Sequence, residues 1–460
     1  MIYKDVIRYL GSFINYEKIP LWPYKRSLKL KRISGFLNSI GNPQDSLKCI
    51  HIAGSKGKGS TCAFIAYILR EAGFDAGLYT SPHLSDFRER IRILKPGHVS
   101  RTPDSEFEGR IPKIKLTRLL EKFKPAIDRY NKNSQYGPLS FFEIYTALAF
   151  LYFKQEKVDF VVLETGLGGR LDATNVVNPL VCAITPISYE HTRQLGRTLA
   201  EIASEKAGII KGSCQLSAIS YQPIVISAPQ EKEAGDVIKY RCKKVNAKLY
   251  YEVSRDIVYE RAADGFSVRG ILGEYRKLKT RLLGEHQLIN AAVAIGVVEA
   301  LRLYGASISV DSLRKGIYNT SWPGRCEIVS RKPLVVLDGA QNTASSAAIK
   351  KTIRENFKYK RLILVLGVSN DKDIKGICRQ LCGLADEIIL TMADNPRAAD
   401  AGVIENIIRC QLPAVSGQIN KTKNIKEAIE LVRQKAKRGD LILITGSLFV
   451  VGEAREILYV

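Results

Sequence analysis

Short uninterrupted apolar runs along the chain alternate with longer stretches whose apolar positions recur at helical spacing. LKCIHIAG (47–54) reads as a buried strand, and STCAFIAYILREAGF (60–74) as a helix that stops at Gly73. The same rhythm continues through FFEIYTALAFLYFKQ (141–155, helix), VDFVVLET (158–165, strand), LVCAITPI (180–187, strand), TLAEIASEKAGII (198–210, helix) and PIVISA (223–228, strand). Strand and helix in turn predict a parallel sheet wrapped by helices. GFSVRGILGEYRKLKTRLLG (265–284) has period two and predicts antiparallel strands appended to that sheet, and HQLINAAVAIGVVEALRLYG (286–305) follows as a helix.

SWPGR (321–325) is turn-rich punctuation, and a second strand-helix series begins after it with PLVVLDGA, RLILVLGV, DEIILTMA and DLILITGS. The expected fold class is therefore α/β, in two domains. Residues 1–321 form an N-terminal P-loop domain with a parallel sheet flanked by helices, and residues 322–460 a smaller Rossmann-like C-terminal domain. Open α/β sheets bind ligands at the carboxyl ends of their strands, so the loops there are where chemistry is expected.

Composition narrows the class. No apolar run approaches the ~18 residues of a membrane span; LILITGSLFVVG (441–452) comes nearest and contains Thr, Ser and two glycines. MIYKDVIRYLGSF has no signal-peptide core, so a cytoplasmic protein is expected. The nine cysteines, an odd number, read as reduced structural thiols inside apolar elements; the nearest pair, Cys378 and Cys382, has helical rather than CxxC spacing. Five scattered histidines leave any metal as a hard ion held by oxygens with at most one imidazole. The formal net charge of +24 is spread over several runs, none interleaved with aromatics as in a nucleic-acid module. A solvated basic surface, with steering of a polyanionic substrate, accounts for it better than nucleic acid does.

HIAGSKGKGST (51–61) fails the strict G-x-x-x-x-G-K-[ST] pattern, because Gly59 follows Gly57-Lys58. It still has what a phosphate cradle needs: small residues whose N–H groups can point inward, a lysine, and a helix N-terminus. Gly54, Gly57 and Gly59 allow close backbone approach, Lys58 reaches phosphates, and Ser60 or Thr61 can bind Mg²⁺. Glu164, ending the strand before GLGGRLDATN, supplies the second-strand carboxylate that such a site uses to hold the metal.

At this point the chain resembles the folylpolyglutamate synthase/dihydrofolate synthase family of the Mur-ligase superfamily. The likeness rests on AGSKGKGST, YTSPHLSDFRERI, FFEIYTALAF, LETGLGGRLDATN, EHTRQLGRTLAEIASEKAGIIK, LLGEHQLINAAVAI, WPGR, DGAQN, DNPRA and TGSLFVVGE, in the expected order over most of the chain. YTSPHL and GLGGRLDATN are the blocks that separate this branch from other Mur ligases. The resemblance implies an ATP-binding Mur-ligase central domain and a glutamate-ligase C-terminal domain. It implies ATP bound by Gly54, Gly57, Lys58, Gly59, Ser60, Thr61, Asn290, Arg325 and Asp338. Two Mg²⁺ ions, held through Ser60, Glu164 and His191, are implied too, with K⁺ as a further candidate ion. Lys58, His191 and a carbamylated Lys206 are the implied catalytic groups. Thr80, Ser81, Pro82, His83, Phe142, Leu171, Asp172 and Ala173 resemble the pterin-side pocket, while Gln341 and Ser447 lie where glutamate binds.

The implied activity is ATP-dependent addition of L-glutamate to a folate or dihydropteroate by a monomer, without nucleic-acid or membrane partners. The alternatives are a Mur-type amide ligase for another carboxylate and a P-loop ATPase acting on nucleic acid. Individual residues have plainer readings as well: a capping or core His191, a helix-surface Lys206, Asx turns at Asp172 and Asn175, and a hinge ion pair at Arg325. Three departures from the family pattern stand out. GSKGKGS replaces GTNGKGS and adds Lys56, EHT replaces DHT, and DGAQN replaces DGAHN, leaving Gln341 where a titratable imidazole is usual.

Overall fold

The computed structural model describes residues 1–19, 22–97, 107–212, 222–411 and 419–459. Seven strands form the larger sheet: β1 (Cys49–Ala53), β2 (Ala76–Tyr79), β3 (Ile91–Leu94), β4 (Phe160–Glu164), β5 (Val181–Ile184), β6 (Ile224–Ser227) and β7 (Leu249–Glu252). Their order is β3-β2-β4-β1-β5-β6-β7, parallel throughout except for β3, which runs antiparallel along β2 at one edge. β1 through β6 are fully buried, which is why they read as continuous apolar runs rather than alternating ones.

Three strands, β8 (Val258–Ala262), β9 (Gly265–Arg269) and β10 (Glu274–Leu278), form a separate antiparallel sheet. Period two thus identified β9 and β10 correctly, but they form a sheet with β8, β9 pairing with both neighbours, and are not part of the large sheet. The second α/β sheet contains β11 (Glu327–Arg331), β12 (Leu334–Asp338), β13 (Leu362–Leu366), β14 (Glu387–Leu390), β15 (Ile419–Lys421) and β16 (Leu441–Thr445). Its order is β11-β12-β16-β13-β14-β15, with only β11 antiparallel.

β1 occupies the centre of the large sheet, flanked by β4 and β5, so the loop leaving its carboxyl end opens at the middle of that sheet's edge. The following helix, Lys58–Glu71, is buried along nearly its whole length between the sheet and the helix Glu285–Arg302. The helix Phe141–Gln155 covers the opposite core. It begins with a capping box in which Ser140 and Glu143 satisfy each other's backbone N–H groups. Glu143 also takes Arg32, on the helix Leu30–Ser39, in a buried ion pair at 2.8 Å, which fixes the N-terminal helices against this core.

Among the described residues, no helix is long and apolar enough to cross a membrane. Seven of the described cysteines are buried and unpaired, as expected. Cys410 departs from the expectation by being exposed, and Cys214 lies outside the described residues.

Candidate active site

The loop after β1 turns on two glycines with positive φ, Gly54 at 147° and Gly57 at 84°. A Cβ on Gly57 would stand 2.1 Å from Asn290 Oδ1, so the glycine is required both by its backbone and by the approach of the Glu285–Arg302 helix. The loop is tied to the segment leaving β5 by Ser55 and Lys56 N–H groups donating to Pro186 O at 3.0 and 3.2 Å. Lys58 begins the helix, and its Nζ donates to Gly54 O at 3.2 Å; Lys206 Nζ donates to the same oxygen at 2.7 Å. Lys206 is therefore not the surface lysine that helical periodicity allows: it is buried against the loop, and burial pulls its ammonium down to about 7.

β4 lies beside β1 with Glu164 in register with Ile52, which sets this carboxylate two residues short of Gly54. Glu164 is buried and accepts the Ser81 N–H at 3.1 Å. Burial raises its pKa, and the charge on Lys58 opposes the rise. His191 adopts a left-handed backbone, φ 52°, at the start of a short helix; its burial lowers the imidazole to about 4, so the ring is neutral at physiological pH. Its neighbour Glu190 is held well below the usual carboxylate range by Lys56, whose Nζ is 2.8 Å away.

No group of three or more His, Cys, Asp or Glu residues stands together as a metal cluster among the described residues. The residues that could hold a divalent ion are a hydroxyl and a carboxylate, Ser60 in the first turn of the helix Lys58–Glu71 and Glu164 at the end of β4. Oxygen donors of this kind suit Mg²⁺, which keeps waters and takes phosphate oxygens for the rest of its shell.

Two cavities lie at the carboxyl ends of the strands, and the smaller reaches the phosphate-loop segment at Gly59. The larger, 540 Å³, brings together Ser81, Pro82, Phe142, Leu171, Asp172, Ala173, His191 and, from the second sheet, Gln341. The smaller, 40 Å³, is bordered by Gly59, Thr80, Ser81, Pro82, His83, Glu164 and Arg325. Asp172 organises the loop it sits on: Oδ2 accepts from the Gly166 and Leu167 N–H groups at 2.9 Å, and Oδ1 from Thr174 N–H and Oγ1 at 3.0 and 2.6 Å. The Asx reading holds for this residue, and it lines the large cavity as well. Asn175, in contrast, turns its amide to the Arg170 and Gly208 carbonyls.

The second sheet contributes from the carboxyl ends of its strands. Asp338, ending β12, accepts N–H groups from Cys326 (2.8 Å) and Ala340 (2.9 Å), which locks the turn after WPGR onto the sheet. A Cβ on Gly339 would meet an Arg325 guanidinium nitrogen at 2.4 Å, so Arg325 packs against the DGAQN turn. Gln341 donates its N–H to Ser345 Oγ at 3.1 Å. Ser447 borders neither cavity; it is buried, and its hydroxyl caps the helix Leu448–Leu458 by accepting from Phe449 N–H at 3.2 Å.

Sequence reasoning passed over several residues at the cavity. Glu17, Lys372, Arg397 and Phe449 line it, as do Ser140 and Glu143. The S-x-x-E box before FFEIYTALAF was a readable signal for the last two. Glu17 sits in a turn with no pattern of its own.

Residues 135–298 match the Mur ligase middle domain, and residues 324–448 the Mur ligase glutamate ligase domain. With a nucleotide-type loop on one α/β sheet and a second α/β sheet closing over it, the chain is a Mur ligase. Within that class it belongs to the dihydrofolate synthase/folylpolyglutamate synthase family. It is 34% identical over 439 residues to the dihydrofolate synthase/folylpolyglutamate synthase of Bacillus subtilis, covering 93% of this chain and 94% of that one. Over 459 residues it is 33% identical to the protein of the same description from Mycobacterium tuberculosis, covering 95% and 91%. Among solved structures it is similar to Mycobacterium tuberculosis folylpolyglutamate synthase complexed with ADP, with a TM-score of 0.85, 30% identity and coverage of 99% and 98%. It is also similar to E. coli FolC in complex with DHPP and ADP, with a TM-score of 0.82, 27% identity and coverage of 100% and 98%.

Proposed function

We propose that this chain is an ATP-dependent ligase that adds L-glutamate to the carboxylate of a folate or dihydropteroate, releasing ADP and phosphate. The observation that carries the reading is the junction at Ser81 and Pro82. These residues border both cavities, and Ser81 N–H is bound to Glu164 beside the phosphate loop. A carboxylate in the large cavity therefore has a path to the γ-phosphate.

A free carboxylate is a poor acyl donor, and phosphorylation by ATP turns it into one. Lys58 and the N–H groups of the loop stabilise charge on the transferring phosphoryl group. The amine of glutamate then attacks the acyl phosphate, and closure of the second sheet over the first keeps out the water that would hydrolyse it. Asn290, Arg325 and Asp338 hold the nucleotide. Ser60 and Glu164 hold one Mg²⁺ and His191 contributes to a second; the ions supply positive charge that offsets the phosphate oxygens. Lys206 acts as a carbamate, an anion in keeping with a metal site. The pocket of Thr80 to His83, Phe142 and Leu171 to Ala173 takes the pterin side, and Gln341 contacts glutamate or the phosphate.

Residues 1–321 and 322–460 act as the two domains of a cytoplasmic monomer. Incubation with ATP, Mg²⁺ and labelled glutamate against dihydropteroate and tetrahydrofolate in parallel tests the activity and tells which substrate is extended. Label that stays on free glutamate with both acceptors refutes the reading. ATP hydrolysis stimulated by nucleic acid instead would point to the other class of P-loop protein.

A further inference from the structure

Three side chains outside the phosphate loop form an unbroken relay toward the active site. Arg90 is completely buried and uses all three guanidinium nitrogens: Nη1 and Nη2 donate to the two carboxylate oxygens of Glu17, and Nε donates to His83 Nδ1 at 2.8 Å. Arginine has no acceptor, so Nδ1 must accept and the imidazole proton must sit on Nε2. Burial and the Arg90 charge lower the imidazole to about 3, which keeps the ring neutral. The ring is also set against Phe87, with centroids 4.5 Å apart. Glu17 is held in turn from the other sheet: Arg397 donates to its carbonyl oxygen at 2.7 Å while its guanidinium is paired with Asp371.

We infer that Glu17 is a positioning residue for the ligase reaction: through Arg90 it fixes His83 as a neutral Nε2–H donor at the small cavity beside Glu164 and Arg325. The donor serves an anionic oxygen of the folate carboxylate that takes the phosphoryl group, or of that group itself, in the space those residues border. This rests on the ligase reading for the substrate but not for the geometry. Glu17 borders the large cavity and is joined to the small one through Arg90 and His83, and its attachment to Arg397 ties the relay to the second sheet.

The test replaces Glu17 with Gln, which keeps the shape of the side chain but removes its charge and one of its two acceptors. Protein labelled with ¹⁵N-histidine has only five imidazoles to assign, and the His83 signal is identified by its loss in His83→Gln. Wild type is expected to show a single Nε2–H tautomer at His83, and Glu17→Gln a mixture or exchange between tautomers. With it, kcat/KM for the folate falls about tenfold or more while KM for ATP stays within about twofold, and Glu17→Asp recovers part of the loss. If Glu17→Gln does not fold, Arg90→Lys takes its place with the same two readouts, since lysine keeps the charge for Glu17 but lacks the Nε donor. An unchanged tautomer together with unchanged kcat/KM in a folded variant overturns the inference. The tautomer measurement needs no turnover, so it still decides the relay if the ligase assay itself fails.

Discussion

Lys58 and Lys206 place their ammonium groups on one acceptor, the carbonyl oxygen of Gly54, at 3.2 and 2.7 Å. Two like charges sharing a buried oxygen repel each other, and the strain falls on the more buried partner. Burial, followed by the Lys58 charge, is what lowers Lys206.

The lowered value makes Lys206 a good amine for carbamylation, which consumes the neutral form. Modification with ¹³C-bicarbonate is expected to rise through about pH 7 instead of near the ordinary lysine value of 10.5, followed by the carbamate carbonyl signal in NMR. Between those two values the folded, unmodified protein binds fewer protons than the unfolded chain. Its stability therefore rises with pH across that window, and the penalty is complete below about 7. Normal activity in Lys206→Ala would rule the carbamate out.

Lys58→Ala is expected to lower kcat by more than tenfold, the equivalent of about 1.4 kcal/mol of transition-state stabilisation, with little change in the thermal midpoint. Its ammonium makes one hydrogen bond, to Gly54 O, and belongs to none of the hydrophobic cores. Steady-state kinetics beside a thermal melt separate the two effects; retention of more than about a tenth of wild-type kcat removes the phosphate role.

Gly57→Ala is expected to raise KM for ATP tenfold or more, on the order of 1.4 kcal/mol. The added methyl meets Asn290 Oδ1 and also forces a left-handed backbone on alanine, so loop and helix must separate. Isothermal titration with a non-hydrolysable ATP analogue reads this directly, and wild-type affinity would show that the loop has room the geometry denies.

Gln341→His restores the imidazole usual in the family. Gln341 lines the large cavity, and its backbone is pinned to Ser345, so an amide here can take over hydrogen bonding but not proton transfer. KM for glutamate is expected to change by a few-fold at most. A kcat gain above about tenfold, with a new pH dependence near the ordinary histidine pKa of about 6.5, would show that charge or proton transfer matters more.

The sequence by itself determined the alternation of strand and helix, the turn near Trp322, and the glycine-rich turn between β1 and its helix with Glu164 at the end of a strand. These are local: fully buried strands must be apolar throughout, a helix must repeat every 3.6 residues, and a phosphate loop must be short, small and basic. The edge strands β7 and β11 went unread because a short strand half open to solvent carries little periodic signal, and β3, although buried, is only four residues long. Only the tertiary structure decided that Lys206 is buried, that the antiparallel strands form a sheet of their own, and that Ser447 is spent on capping a helix. It alone joined Glu17 to Arg90, 73 residues away, and to Arg397, 380 residues away. Burial and long-range pairing depend on which surfaces the folded chain lays together, and no window of sequence contains both partners.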